Sequence, residues 1–409
     1  MNNFAELIAA CKPGYSLPQA FYCDALLYRN EIMRVWNRNW IWVGHVSQIP
    51  ETGDFFTFDY GPESFIILRD RSGDIRAHMN ICRHRGSRIC TSGTGTARSL
   101  VCPYHGWTYE LEGGLRSGPR MGEDFEPDRY SLHSAAVHIF QGMIFVNADE
   151  NALSLDKPLS ELARLTRPVN FERIKIAHTA SYLVPANWKL AYENYLECYH
   201  CAPAHKEYAR SHSLKSPEDL LRLSQGFGER SAACGLPVTV LDQTGVNATA
   251  PCADVYYRRY PLYDGYETGS RTGARLAPLL GELTGFDGGA TDLQIGMLNH
   301  FLVYSDHMVG YRFVPRGPLE TDMQIVWMVH EDAVEDRDYV LADLTWLWDV
   351  TSRDDERIIR LNQVGVMSSF YRPGPLSQME WAIPNFHATY IELMTNCLPQ
   401  YSEAETANA

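Results

Sequence analysis

The chain has 409 residues, 45% of them hydrophobic and 21% charged, the make-up of an ordinary globular protein long enough for two domains or one domain with an insertion. Its formal charge of −14 argues against nucleic acid as a partner and is compatible with a cationic ligand. No run of eighteen apolar residues occurs and MNNFAELIAACKPGYSLP lacks the basic-then-apolar order of a secretory signal, so neither a membrane span nor export is expected and the cytoplasm is the expected location. Ten cysteines dispersed over such a chain suggest reduced thiols or metal ligands rather than a disulfide framework.

From Phe21 to Trp40 the apolar period is helical, with Leu26, Leu27, Ile32, Met33 and Val35 on one broad face. After Trp40 the texture becomes that of short strands: WIWVGHV, DFFTFDY, SFIILRD and DIRAHMN, separated by the turn signals PETGD, GPE and RSGD. SLVCPYHGWTYEL and VHIFQGMIFVNAD continue the pattern to about Asp149, so residues 40–150 read as a small antiparallel β domain. Beyond it, KIAHTASYLV reads as a strand, ANWKLAYENYLECYH as a helix, and LNHFLVYS, HMVGYRFVP and DMQIVWMVHED as successive strands of one sheet. A long helix is expected from Asp336 to Val366, with Thr351 as a point where it could break. Residues 151–409 thus read as an α+β domain with helices packed on an antiparallel sheet, the N-terminal helical segment 1–39 being assigned to the same domain. The tail YSEAETANA is expected to fray.

Two half-motifs stand out in the β domain, CRHRG (Cys82 to Gly86) and CPYHGW (Cys102 to Trp107). Each joins one cysteine to one histidine, Cys82 with His84 and Cys102 with His105, in polar loops flanked by glycine. Thiolate and imidazole at such spacing are metal ligands in the making. A finger-type zinc site keeps its two cysteines together and its two histidines together, which is not this order. C-x-H followed by C-x-x-H, cysteine first in each half, is the order of a Rieske [2Fe–2S] centre, in which two histidines hold one iron and two cysteines the other. Trp107 is counted with that cofactor site. Such a cluster moves single electrons, so an enzyme built around it needs a second centre.

The stretch ENYLECYHCAPAH offers one. On a continuous helix Asn194, Glu197 and His200 share a face, and Pro203 turns the chain before His205. A third ligand is available from Asp354 or Asp355 in SRDDERIIRLNQVGV, completing two histidines and a carboxylate as for non-haem iron(II). The plain alternative for the two aspartates is an acidic helix start.

Together these residues resemble the α subunit of Rieske non-haem iron oxygenases, through the cluster motif, the NWK entry to a helix, the histidine pair and an aspartate ahead of a Gln-x-Gly. The resemblance implies a Rieske antiparallel β domain placed before a helix-grip (START-like) catalytic domain, a [2Fe–2S] cluster on Cys82, His84, Cys102 and His105, and mononuclear Fe(II) on His200 and His205. In the family the carboxylate ligand lies eight residues before a glutamine, which selects Asp355 from Gln363. The resemblance further implies a head-to-tail homotrimer, a separate NAD(P)H-dependent flavin and iron–sulfur reductase, and dioxygen as co-substrate. Most family members have aspartate where this chain has Glu197; it would bridge His105 of one chain to His200 of its neighbour, with Asn194 beside it. Glutamate there is similar to the branch that oxidises carnitine, glycine betaine and proline betaine (stachydrine), which implies hydroxylation of an N-methyl group, formaldehyde release and a small cationic substrate. The rival expectations are ring dihydroxylation or O-demethylation of an arene, and, outside catalysis, an electron-transfer or zinc-binding protein.

A quaternary ammonium is ordinarily held against aromatic faces, and Tyr256, Tyr257, Tyr260, Tyr263, Tyr266, Phe301, Tyr304, Tyr311 and Trp327 are available, only a few being expected to touch substrate. Cys198 and Cys201 are expected to pack as small apolar side chains, because on a helix Cys198 lies about 200° around the axis from His200. SGTGTAR (Ser92 to Arg98) is expected to be a loop and not a phosphate turn, and the Asn247-Ala-Thr sequon is expected to have no role.

Overall fold

The computed structural model describes residues 4–212, 217–244 and 254–396; the Asn247 sequon and the tail YSEAETANA lie outside them. Three short helices open the chain, α1 (Phe4–Ala9), α2 (Ala20–Cys23) and α3 (Ala25–Arg34). The single helix expected over Phe21–Trp40 is divided because Asp24 takes an extended backbone and its carboxylate accepts from the N–H groups of Leu26 and Leu27. The phase of α3 follows that cap: Leu27, Tyr28, Glu31 and Ile32 are buried, whereas Leu26 and Met33 are more than half exposed, contrary to expectation.

The β domain holds β1 (Ile41–His45), β2 (Asp54–Tyr60), β3 (Glu63–Arg69), β4 (Ile75–Met79), β5 (Thr94–Thr96), β6 (Leu100–Val101), β7 (Thr108–Tyr109), β8 (Leu115–Ser117), β9 (Ser134–Phe140) and β10 (Met143–Asn147). Seven of them form one sheet in the order β1-β10-β9-β4-β3-β2-β5, and β6-β7-β8 form a second, small one. VHIFQGMIFVNAD is a hairpin turned by Gln141 and Gly142, both at positive φ, the mirror-image turn that matches strand twist. SLVCPYHGWTYEL is not one strand but two short ones around a loop, and part of SGTGTAR is strand β5, paired with the edge of β2.

The second domain follows with α4 (Asp156–Thr166), β11 (Ile174–Val184), α5 (Trp188–Tyr195), α6 (Cys201–Ala204), α7 (Pro217–Ser224), α8 (Phe227–Ala233), β12 (Val240–Asp242), β13 (Val255–Pro261), β14 (Gly289–Ile295), β15 (Asn299–Val303), β16 (Met308–Gly317), β17 (Glu320–His330), α9 (Leu341–Val366) and α10 (Ala382–Asn396). Its seven strands are antiparallel in the order β11-β17-β16-β15-β14-β13-β12. Strand alternation gives the sheet two faces. Val255, Tyr257, Leu293, Phe301 and Met328 pack on one side with Trp42 of β1 and the leucines of α4. Tyr256, Tyr260, Asp292, Leu302, Tyr311 and Met323 point to the other side, over which α5 and α9 lie. The last long helix starts at Leu341, not Asp336, because Asp336 itself sits at φ +63. It runs unbroken through Thr351, whose hydroxyl donates to the Leu347 carbonyl.

One buried ionic knot ties the N-terminal segment to this domain. The Glu31 carboxylate accepts from Lys189 Nζ, Trp188 Nε1 and the Tyr390 hydroxyl, with Glu31 and Lys189 fully enclosed. Burial pushes the Lys189 ammonium below its ordinary pKa, and the Glu31 carboxylate opposes that shift. Replacing Glu31 by alanine strands a buried ammonium, so Glu31→Ala is expected to destabilise the protein by about 3–5 kcal/mol, seen as a lowered denaturation midpoint. Glu31→Ala with an unaltered midpoint would show that the knot contributes nothing.

Candidate active site

The two half-motifs fold into matching loops. In the first, the Gly86 N–H donates to the Cys82 carbonyl and the Cys82 N–H to that of Ser87; in the second, the Gly106 N–H donates to the Cys102 carbonyl and the Cys102 N–H to that of Trp107. Gly86 and Gly106 stand at φ +74 and +73, a left-handed turn that a side chain would strain, so each glycine is part of the motif for a backbone reason. The Cys82 and Cys102 sulfurs are buried in a small core with Ile66, Leu68, Leu100 and Trp107. His84 and His105 are exposed, their Nδ1 atoms 3.2 Å apart. Trp107 stacks on His84 at 4.9 Å between centroids and 9° between planes. The Tyr109 hydroxyl lies 3.3 Å from Cys82 Sγ and accepts from the Arg83 N–H. Soft sulfurs inward and two imidazole nitrogens converging outward suit the unequal ends of a Rieske cluster.

The stretch from Glu193 to His205 differs from expectation. Helix α5 ends at Tyr195, so Asn194, Glu197 and His200 do not share one helical face. The loop brings them together all the same: Glu197 Oε1 is 2.6 Å from His200 Nδ1 and Asn194 Nδ2 is 3.3 Å from His200 Nε2. The other Glu197 oxygen accepts from the backbone N–H groups of Tyr199 and His200, so the carboxylate shapes the loop as well as the ring. Leaving the helix also brings Cys198 and Cys201 to a Cα–Cα distance of 4.9 Å, and they form a disulfide. That corrects the expectation of independently packed thiols and removes both as ligands; Cys82 and Cys102 are among the free cysteines.

His205 follows the single turn α6, which accommodates Pro203, and His200, His205 and Asp355 meet with ligand atoms all within 4.8 Å of one another. Asp355 lies in the middle of α9 and is buried, not at an acidic helix start. Its Oδ1 is 2.9 Å from His205 Nε2 and 3.4 Å from His200 Nε2, whereas Asp354 Oδ2 is 3.7 Å from the other face of His205, at Nδ1. Both His205 nitrogens and Asp355 Oδ1 are buried without an aligned hydrogen bond. Acceptor atoms in contact yet not aligned as donor and acceptor fit a shared cation, and two imidazoles with a carboxylate fit Fe(II). Glu197 then fixes the His200 ring from its other nitrogen, as carboxylates commonly do behind metal-bound histidine.

A cavity of about 330 Å³ opens onto this cluster, in the usual range for a small-molecule site. Its wall includes a continuous belt of rings, Tyr195 to Tyr311 at 4.8 Å, Tyr311 to Trp348 at 5.7 Å and Trp348 to Tyr208 at 5.5 Å. Of the nine aromatics proposed from sequence, Tyr256, Tyr260 and Tyr311 line it; Tyr257, Phe301 and Trp327 belong to the core. Tyr195, Tyr208, Phe313, Trp348 and Trp381 line it as well and carried no separable sequence signal, since each sits among apolar or turn residues. Burial depresses His212 to about 3, with His307 adding to the effect, so this histidine of the wall is neutral near pH 7. Asp292 on β14 is a further carboxylate of the lining.

Family models match both parts of the chain: the Rieske [2Fe-2S] domain over residues 39–140 and the ring hydroxylating alpha subunit (catalytic domain) over residues 171–396. The glycine betaine monooxygenase oxygenase subunit of Pseudomonas aeruginosa is 35% identical over 407 residues, covering 97% of this chain and 93% of that protein. The carnitine monooxygenase oxygenase subunit of Escherichia coli is 34% identical over 203 residues, 48% of this chain and 54% of that protein. Among solved structures, a quaternary ammonium Rieske monooxygenase in complex with L-carnitine superposes with TM-score 0.69 at 22% identity, covering 93% of this chain and 97% of that one. Naphthalene 1,2-dioxygenase from Rhodococcus sp. superposes with TM-score 0.64 at 21% identity, over 94% and 95% of the two chains.

Proposed function

We propose, from the premise that the chain belongs to the Rieske non-haem iron oxygenases as their α (oxygenase) subunit, that it hydroxylates an N-methyl carbon of a quaternary ammonium betaine of the proline betaine kind. The family's cofactors are a [2Fe–2S] cluster and a mononuclear iron. Cys82, His84, Cys102 and His105 hold the first, with Trp107 packed on His84, and His200, His205 and Asp355 hold the second. When bound, the iron supplies the position at which dioxygen is activated, with electrons arriving through the cluster from a separate NAD(P)H-dependent reductase. Glu197 and Asn194 orient His200, and Glu197 is the connection toward the partner subunit's His105 in a trimer of cytoplasmic location.

The observation that carries the substrate class is the ring belt in the cavity beside His200, His205 and Asp355. A quaternary ammonium has no N–H to donate, so aromatic faces are the means of holding it, and the neutral His212 in the wall adds no repulsion. The net reaction takes the methyl C–H, O2, two electrons and two protons to an N–CH2OH group and water. Loss of formaldehyde and a proton then leaves the tertiary amine. The reconstituted system should consume NADH and release formaldehyde with betaines. Turnover with naphthalene-like arenes and none with any betaine would overturn the reading in favour of ring hydroxylation.

A further inference from the structure

Two charged residues at the cavity stand side by side without pairing, Arg258 being hydrogen-bonded to Tyr256 instead. Arg258 on β13 and Asp292 on β14 are direct cross-strand partners, so their side chains leave the same face of the sheet side by side. Opposite charges so placed ordinarily pair, yet among the described residues no ion pair within 4.0 Å joins them, and the Asp292 carboxylate accepts no hydrogen bond. The neighbouring rung shows the contrast. Arg259, pointing to the opposite face, is closed onto Asp287, which also accepts from Ser231 and the Gly289 N–H. Asp306 is likewise held by Thr268, His307 and the Leu276 N–H. Where this fold uses a buried carboxylate structurally, it surrounds it with donors.

We infer that Asp292 and Arg258 are the two charge anchors for a zwitterionic substrate, the Asp292 carboxylate facing its quaternary ammonium and the Arg258 guanidinium its carboxylate; this rests on the proposed N-methyl substrate and names the residues that select it. The placement agrees with the chemistry. Asp292, half-buried, and Arg258, exposed, both line the cavity that the ring belt also lines. An ammonium without hydrogens needs a charge that is committed to no donor, plus aromatic faces, and both occur together here. Burial raises the Asp292 carboxyl to about 6, with Arg258 opposing, so the substrate-free protein carries a desolvated negative charge that an arriving cation relieves.

The test is calorimetric binding to the metal-loaded protein under anaerobic conditions, with three probes: glycine betaine, its uncharged-head carbon isostere 3,3-dimethylbutanoate, and tetramethylammonium. Asp292→Asn should weaken glycine betaine and tetramethylammonium roughly thirtyfold and leave 3,3-dimethylbutanoate unchanged or tighter. Arg258→Gln should weaken the two carboxylates and spare tetramethylammonium. The melting temperature of Asp292→Asn should equal or exceed that of the parent, since the amide has no charge to desolvate; a structural carboxylate would lower it. Equal weakening of cation and neutral isostere by Asp292→Asn, or no change in either, overturns the assignment. If the parent protein releases no formaldehyde from any betaine, the proposed reaction fails, and the binding comparison still decides the role of Asp292. If the parent binds no quaternary ammonium at all, both fall together.

Discussion

Replacing Asp355 by alanine is expected to give a protein that keeps its cluster colour and EPR signal but carries two irons per chain instead of three and makes no product. The carboxylate is the third member of a buried group whose ligand atoms lie within 4.8 Å of one another, and its removal leaves two imidazoles, one of them hydrogen-bonded to Glu197 behind. Product formation should fall on the order of 10³-fold or more, with metal analysis accounting for the loss. Asp354→Ala is the control. Its carboxylate is partly exposed and stands 3.7 Å from the far nitrogen of His205, so that variant should hold near-normal iron. Full iron in Asp355→Ala, or loss of iron in Asp354→Ala alone, would assign the ligand to the other aspartate. A colourless parent protein would return the half-motifs to zinc and end the oxygenase reading.

Glu197→Gln addresses the connection between centres. The amide keeps the side-chain length and can still accept from the Tyr199 and His200 N–H groups, so the loop and both metals should remain. What it loses is the charged contact at 2.6 Å behind His200. Single-turnover electron transfer from reduced cluster to iron site is expected to slow by about 10²-fold, with iron content unchanged. Undiminished transfer in a fully loaded Glu197→Gln protein would remove Glu197 from the electron path. Iron loss on substitution would show that its role is to hold His200 in place. Glu197→Asp should retain part of the rate, since the carboxylate is kept on a shorter stem.

The Rieske half-motifs were legible because each is local. Cysteine, histidine and glycine lie within one tight turn, and the loop's own backbone hydrogen bonds set their geometry. The mononuclear site was legible for a less local reason. The count from Gln363 to Asp355 works because Gln363 Oε1 accepts from the Asn187 N–H, at the head of the helix leading to His200, which sets α9 against α5. Conformation between those anchors was not legible. ENYLECYH has helical composition throughout, yet the chain leaves the helix at Leu196, where a carboxylate competes for the backbone donors of Tyr199 and His200. A helix-based angle for Cys198 therefore misjudged the disulfide. Strands β13 and β14 were missed because their cavity-facing positions are polar or aromatic, among them Tyr256, Arg258 and Asp292, which spoils the apolar alternation that marks a strand. Function hid the fold at the place where function resides.

The knot around Glu31 has a consequence for how the protein is made. All ten strands of the β domain lie between Ile41 and Asn147, so their pairings call on no later segment of chain, while Trp42 of β1 packs on the second sheet. The helix that leads to His200 and His205 has no such independence. Lys189 and Trp188 share Glu31 with Tyr390, and Glu31 and Tyr390 stand 359 positions apart in the chain. The strand pairings of the electron-carrying half can thus form early, and the half that admits oxygen is completed only once the C-terminal helix has emerged and docked, an order in which the strands of the electron source are paired before the oxygen site is complete.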